Sequence, residues 1–301
     1  LSTLVTGGAG FIGSNLVEEL LAAGEDVLVL DNMHTGSPEN LKGLDGSLRL
    51  IQASCNDLSA LDLHPEMIYH LGIPSSSPMY KKNPYLVGEA INGFTAVFEL
   101  ARKSGSRVVY ASSSSLYNGL LPPHREDMTI QVADYYTEAR LAMERMAELY
   151  RQLYNIDSVG MRFFSVYGPK ETAKKQYANM VTQFLWEMQD KKTPIIFGDG
   201  LQTRDFTFVK DVTRALQLAM KSDYHGVVNV GTGKAHTFNQ AVGVLNACMG
   251  LDIKPKYVPN PIKNYVLHTL SDTAKSETVL GFRARYGLMD GVKELLKYYV
   301  K

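Results

Sequence analysis

Apolar positions along this chain follow two alternating rhythms. Short runs such as "STLVTG", "DVLVLDN", "LRLIQAS", "MIYHLG", "RVVYASSS" and "SVGMRFF" are rich in Val, Leu, Ile and aromatic residues with few polar interruptions. Longer stretches between them carry apolar residues at helical spacing. "GSNLVEELLAAG" sets Leu16, Val17, Leu20 and Leu21 on one face and ends at Gly24. "AVFELARKSG" and "EARLAMERMAELYRQLY" repeat that pattern. Near-continuous apolar strands alternating with helices predict a parallel sheet covered on both faces, a doubly wound α/β (Rossmann) domain.

The rhythm loosens after Tyr167. "GPKETAKKQYANMVTQFLWEMQDKK" reads as a polar loop entering a helix, and "TPIIFGDG" as a strand. "TFVKDVTRALQLAMK" and "GVVNVGTG" return to the helix-then-strand order, and a Pro-punctuated tail, "IKPKYVPNPIKNY", follows. The expected organisation is a dinucleotide domain over 1–165 and 206–234, with a smaller interleaved C-terminal substrate domain over 166–205 and 235–301.

Composition narrows the function classes. The chain has 301 residues, 45% hydrophobic and 21% charged, the balance of a folded globular protein. Thirty-one basic residues offset thirty-one acidic ones, so no net field favours nucleic acid or a membrane surface. The two cysteines, Cys55 and Cys248, have no metal-type spacing, and the seven histidines form no HxH or HExxH, so no metal site is expected. No apolar run approaches the roughly 20 residues that span a bilayer. "LSTLVTGGAG" has no basic leader and runs straight into a strand, which makes cytoplasm the default location.

"TGGAGFIG" spaces Gly7, Gly10 and Gly13 between a strand and a helix. Glycines there permit a tight turn and let backbone N–H groups meet a pyrophosphate at the positive end of the helix. Phe11 and Ile12 complete that turn. Asp31, followed by Asn32, ends the next strand, where a carboxylate accepts both ribose hydroxyls and repels a 2′-phosphate. The prediction is NAD in preference to NADP.

The GxxGxxG spacing, "LDNMHTG", "VVYASSSSLY", "YxxxRxxxE", "RFFSVYGP", "GDGLQTRDFTFVKDV" and "NVGTG", in that order, resemble the extended short-chain dehydrogenase/reductase family over nearly the whole chain. The resemblance implies nucleotide-sugar chemistry. A tyrosine takes a proton from a sugar hydroxyl, a Ser/Thr shares that hydrogen bond, and a lysine holds the nicotinamide ribose. Counting back from Tyr117, the serine falls on Ser113. Tyr136 matches the tyrosine. Arg140 stands where the family has lysine, and Glu144 lies one turn further on. Free tyrosine has a pKa of about 10, so a base working near neutrality needs a shift of about 3 units, roughly 4 kcal/mol. Arg140 is expected to keep the positive charge while changing the ribose contacts.

The resemblance also implies cofactor contacts at Leu71 and Asp57, with Ser54 where many members have aspartate. It implies substrate contacts at Ser165, where many have asparagine, and at Arg204, whose guanidinium suits phosphate oxygens. A salt bridge to Asp205 or Asp199 is the alternative for Arg204. Lys263 is the candidate second phosphate contact. Dehydratase members carry Asp-Glu where Ser114 and Ser115 stand, which argues against elimination. Epimerisation at C4 of a UDP-sugar is the reaction expected. The alternatives are a reductase or dehydrogenase that releases NAD, and a weakened NAD- or nucleotide-sugar-binding protein. A homodimer is implied through the tyrosine-bearing helix, although its stripe Ala139, Met143, Met146, Ala147 and Tyr150 fits packing on the sheet equally well.

Overall fold

A computed structural model describes residues 2–262 and 265–300. The apolar runs form seven parallel strands: β1 (Ser2–Thr6), β2 (Asp26–Asp31), β3 (Leu48–Gln52), β4 (Met67–His70), β5 (Arg107–Ser113), β6 (Ser158–Phe163) and β7 (Gly226–Val230). Their order across the sheet is β7-β6-β5-β4-β1-β2-β3. Leu4 of β1 sits beside Leu28 of β2 and Ile68 of β4, so the central strand is enclosed by apolar neighbours on both sides. The chain reverses direction across the sheet between β1 and β4. In open α/β sheets a ligand crevice forms at that place, beyond the carboxyl ends of the strands.

The helices are α1 (Phe11–Ala22), α2 (Ser77–Lys82), α3 (Leu86–Ser104), α4 (Tyr135–Tyr154), α5 (Met180–Gln189), α6 (Val209–Lys221), α7 (Phe238–Met249), α8 (Ala274–Leu280) and α9 (Leu288–Tyr299). Leu16, Val17, Leu20 and Leu21 of α1 pack with Val212 and Leu216 of α6 on one face of the sheet. On the other face, Phe94, Val97 and Phe98 of α3 meet Ala139, Met143, Ala147 and Tyr150 of α4. The apolar stripe on α4 is therefore largely used within one chain, with Met146 partly buried against the same cluster. A third cluster, around Phe184, Phe208, Val242 and Val292, forms the smaller lobe. Leu280 and Phe282 come from the segment assigned by sequence to that lobe, yet they pack in the cluster under α1 and α6. The cause is α8, which returns to lie against β7 and α6.

Local chemistry fixes the start of α4. Asp134 accepts from the Thr137 N–H (2.9 Å) while Thr137 Oγ1 accepts from the Asp134 N–H (3.0 Å), a reciprocal cap. Asn155 ends the helix in the left-handed region, at φ 56°. The capped first turn carries Tyr136, and Arg140 follows one turn later on the same face. No helix among the described residues is long and apolar enough to cross a membrane.

Candidate active site

The glycine loop is built for close approach. Gly7 has φ +68°, and a Cβ there would lie 2.6 Å from the backbone of Gly72. A Cβ on Gly13 would lie 2.1 Å from the Gly7 carbonyl, so the helix can sit this close to the strand only with glycine. Gly10 caps α1 without a side-chain hydrogen bond, and no acidic residue stands in the first turn. The positive end of the helix is thus left for an anion. Asp31 closes the other end of the groove, accepting from the Ala9 N–H (3.0 Å) and the Met33 N–H (2.8 Å). Burial raises its pKa, and the Met33 and Ala9 N–H groups oppose that rise. Gly36 leaves the carboxylate room, since a Cβ there would stand 2.8 Å from Asp31 Oδ1. The intervening Asn32, Met33, His34 and Thr35 include no lysine or arginine that would welcome a 2′-phosphate. These features fit NAD: ribose at Asp31, pyrophosphate at the terminus of α1.

The chemical groups lie further along the same cleft. Ser113, the last residue of β5, accepts from the Ser115 N–H at 3.1 Å, which leaves its O–H free to donate. Tyr136 is buried, edge-on to Tyr80 with ring centroids 5.4 Å apart. Arg140 is 3% exposed. It donates from Nη1 to the Ala111 carbonyl and from Nη2 to the Pro74 carbonyl, both at 3.0 Å. Its Cζ stands 4.9 Å from the centroid of the Tyr136 ring, within cation–π range. Its buried Nε has no hydrogen-bond partner among the described residues. Nearby, burial and secondarily the Arg140 charge push the His70 imidazole down to about 3. His70 is thereby kept neutral.

Glu144 anchors this floor from below. It forms a buried bidentate pair with Arg162 (2.9 and 2.7 Å) and accepts from Ser112 Oγ at 2.5 Å. Arg162 also donates to Tyr117 Oη (2.8 Å), which donates to Asn229 Oδ1 (2.7 Å). Burial opposes the Arg162 charge, but Glu144 and Tyr117 outweigh it and raise its pKa. The network ties α4 to β5, β6 and β7 directly beneath Ser113.

The glycine turn, Asp31 and the chemical groups Ser113, Tyr136 and Arg140 open onto one cavity of about 440 Å³. Its wall takes in Gly7, Gly10, Phe11, Ile12 and Gly13 from the glycine turn, and Asp31, Asn32 and Leu71 from the strand ends. Ser113, Tyr136, Arg140, Ser165 and Arg204 line it as well. Asp57 does not. Its carboxylate accepts from the Ser54 N–H at 3.2 Å in a capping box of the 3-10 turn Cys55–Ala60, on the protein surface. Lys263 lies outside the described residues. Arg204 makes no ion pair with Asp199 or Asp205 among the described residues. Asp205 instead accepts from Thr232, Gly233 and Ser271. The Arg204 guanidinium donates to the carbonyls of Thr203, Leu267 and Val266 and lies over the rings of Phe238 (5.4 Å) and Tyr265 (5.5 Å). Burial lowers its pKa. It is a cation on the cleft wall with no carboxylate partner found there. Sequence reasoning passed over Gly36 and Lys174, which also line the cavity. The glycine of "LDNMHTG" was a readable signal, whereas Lys174 stands in a loop without periodicity.

The chain spans nearly the full length of several known proteins. A UDP-glucose 4-epimerase of Mycolicibacterium smegmatis is 32% identical, covering 99% of this chain and 98% of that one. UDP-glucuronic acid decarboxylase 1 of Arabidopsis thaliana is 28% identical over 98% of this chain and 69% of its own length. The crystal structure of a Thermotoga maritima UDP-glucose 4-epimerase with UDP-glucose superposes with a TM-score of 0.93 at 29% identity, covering 99% of this chain and 98% of that one. The profile described as "NAD dependent epimerase/dehydratase family" matches residues 3–231, the stretch that contains the glycine turn, Asp31, Ser113, Tyr136 and Arg204. With a groove suited to NAD and relatives that act on UDP-sugars, the chain belongs to the NAD-dependent epimerase/dehydratase family.

Proposed function

We propose that this protein inverts C4 of a UDP-hexose, of the glucose/galactose type, through a transient 4-keto sugar. The observation that carries this reading is the opening of Ser113, Tyr136 and Arg140 onto the same cavity as the glycine turn and Arg204, a cation with no carboxylate partner among the described residues. Tyr136 Oη takes the proton of the C4 hydroxyl, and the Ser113 O–H donates to the same sugar oxygen. Arg140, fixed by two carbonyls and the tyrosine ring, holds positive charge under the reacting groups without needing to move. Arg204 grips the diphosphate, so the keto sugar turns while its nucleotide stays in place. Once the keto sugar presents its other face, Tyr136 returns the proton to the same C4 oxygen. NAD supplies the acceptor and donor of the C4 hydride. Ser114 and Ser115 provide no acid–base pair for water elimination. A homodimer is part of the proposal, supported by Leu149, Leu153 and Tyr154, which α4 leaves at least half exposed.

The test is purified protein with UDP-galactose and no added NAD, followed by product analysis and cofactor absorbance. UDP-glucose should form with no steady-state accumulation of reduced cofactor, and Tyr136→Phe should abolish turnover. Unchanged turnover in Tyr136→Phe rules out the mechanism. Net accumulation of reduced or oxidised cofactor points instead to a dehydrogenase or reductase.

A further inference from the structure

We propose that Lys174 is the cation that closes over the pyrophosphate of the bound dinucleotide, opposite the N-terminus of α1. The inference rests on the dinucleotide groove and is independent of the reaction at the sugar.

The segment after Pro169 is laid directly over the start of α1. Asn15 Nδ2 donates both to the Phe11 carbonyl (2.8 Å) and to the Pro169 carbonyl (3.1 Å). Asn40 Nδ2 does the same for Ala9 (2.9 Å) and Lys170 (3.4 Å). Three lysines come with this segment, and their surroundings separate them. Lys170 is engaged at 2.6 Å with Glu18 and at 3.3 Å with the Ser14 carbonyl. Lys175 does not line the cavity. Lys174 does, with its Nζ 5.1 Å from the centroid of the Phe11 ring, over the first residue of α1.

The Lys174 ammonium has donors to spare. Its carboxylate neighbour, Glu171 Oε2, is 3.6 Å away, an ion pair beyond hydrogen-bond length. Glu171 is fully buried and already accepts from the Gly168 N–H (3.2 Å), the Asn179 N–H (2.7 Å) and Thr182 Oγ1 (2.6 Å). Glu171 therefore orients the lysine from a distance and does not consume its N–H groups. The side chain of Lys174 is only 16% exposed, so its stem is packed and its head is held at the cleft.

The electrostatics favour such a group. A pyrophosphate carries two negative charges, while a helix terminus supplies the equivalent of roughly half a positive charge. The glycine turn from Gly7 to Gly13 contains no basic residue. Arg204, packed against Phe238 and Tyr265, is assigned to the substrate's phosphates by the proposed function. Lys174 supplies the missing charge on the cofactor side.

Calorimetric titration of the nucleotide-free 301-residue chain tests this without any turnover. Lys174→Met should bind NAD and ADP-ribose about tenfold more weakly, the loss of one charge-assisted contact. Adenosine and UDP should bind as to the unaltered protein. The tenfold gap should narrow as salt rises toward about 1 M, and Lys174→Arg should restore most of the affinity. NAD and ADP-ribose affinities within about twofold of the unaltered protein would overturn the proposal. So would a loss confined to UDP, which would assign the lysine to the substrate. Absence of epimerase activity leaves both readouts intact.

Discussion

Arg204→Met separates the contribution of a binding cation from that of a structural one, because the two make opposite demands. In the ligand-free protein the guanidinium gives hydrogen bonds to three carbonyls, but two of these have other donors. Thr203 O also accepts from the Thr269 N–H at 3.2 Å, and Leu267 O from the Thr203 N–H at 2.9 Å. Among the described residues, the Val266 carbonyl has Arg204 as its donor. Methionine keeps the stem between Phe238 and Tyr265, gives up the bond to Val266 and the one to the Tyr265 side chain, and removes a cation whose burial disfavours its charge. Folding stability without ligand should therefore change by no more than about 1 kcal/mol. Binding should change far more. Two charge-assisted hydrogen bonds to a diphosphate are worth about 3 kcal/mol, roughly a hundredfold in affinity for UDP. A UDP concentration of about 100 times the original Kd stabilises the unaltered protein by about 2.7 kcal/mol, and the variant by only about 0.4 kcal/mol. Urea unfolding with and without UDP, alongside titration calorimetry, reads both quantities. UDP affinity within about threefold of the original, or a loss of several kcal/mol in the ligand-free state, would refute the reasoning and make Arg204 a structural residue.

Three further outcomes follow from the same geometry. Gly36→Ala places a methyl group 2.8 Å from Asp31 Oδ1 and 2.9 Å from Oδ2, so NAD affinity should fall about tenfold while UDP affinity holds, measured by calorimetry. Glu144→Gln and Arg162→Met should each cost about 3–5 kcal/mol in urea unfolding by stranding the buried partner, and the double variant should cost less than the two summed. Additive losses would mean the pair is uncoupled. His70, held neutral with its pKa down at about 3, gives stability that is complete above its unfolded value near 6.5 and is lost as pH falls toward 3. Between pH 6.5 and 5 the unaltered protein should lose about 1.7 kcal/mol more than His70→Asn, and parallel pH curves would contradict this.

Much of the nucleotide half was legible because its determinants are local. The glycine spacing, the strand before it and Asp31 at the end of the next strand all lie within about 30 residues and follow rules of turn geometry. Ser113 and Tyr136 were expected from the family resemblance, and both line the cavity. What escaped depends on how distant segments meet. Asp57 is the exception: its carboxylate caps its own turn, in a Ser-x-x-Asp spacing that "QASCND" displays. The partners of Arg140 are backbone carbonyls, which every residue possesses and no pattern marks. Lys174 gains its place from the path of the 169–175 segment over α1, and the return of α8 to the sheet is hidden in a tail punctuated by proline.

The two carbonyls beneath Tyr136 belong to neighbouring strands: Ala111 to β5, and Pro74 to the segment leaving β4. A planar fork can stitch both at once, whereas an ammonium on a flexible stem has no such fixed span. Position 140 is thus a seam in the cleft wall as well as a source of charge. A change in the 71–77 segment that displaces the Pro74 carbonyl therefore also unseats that guanidinium, and the two can be altered only together.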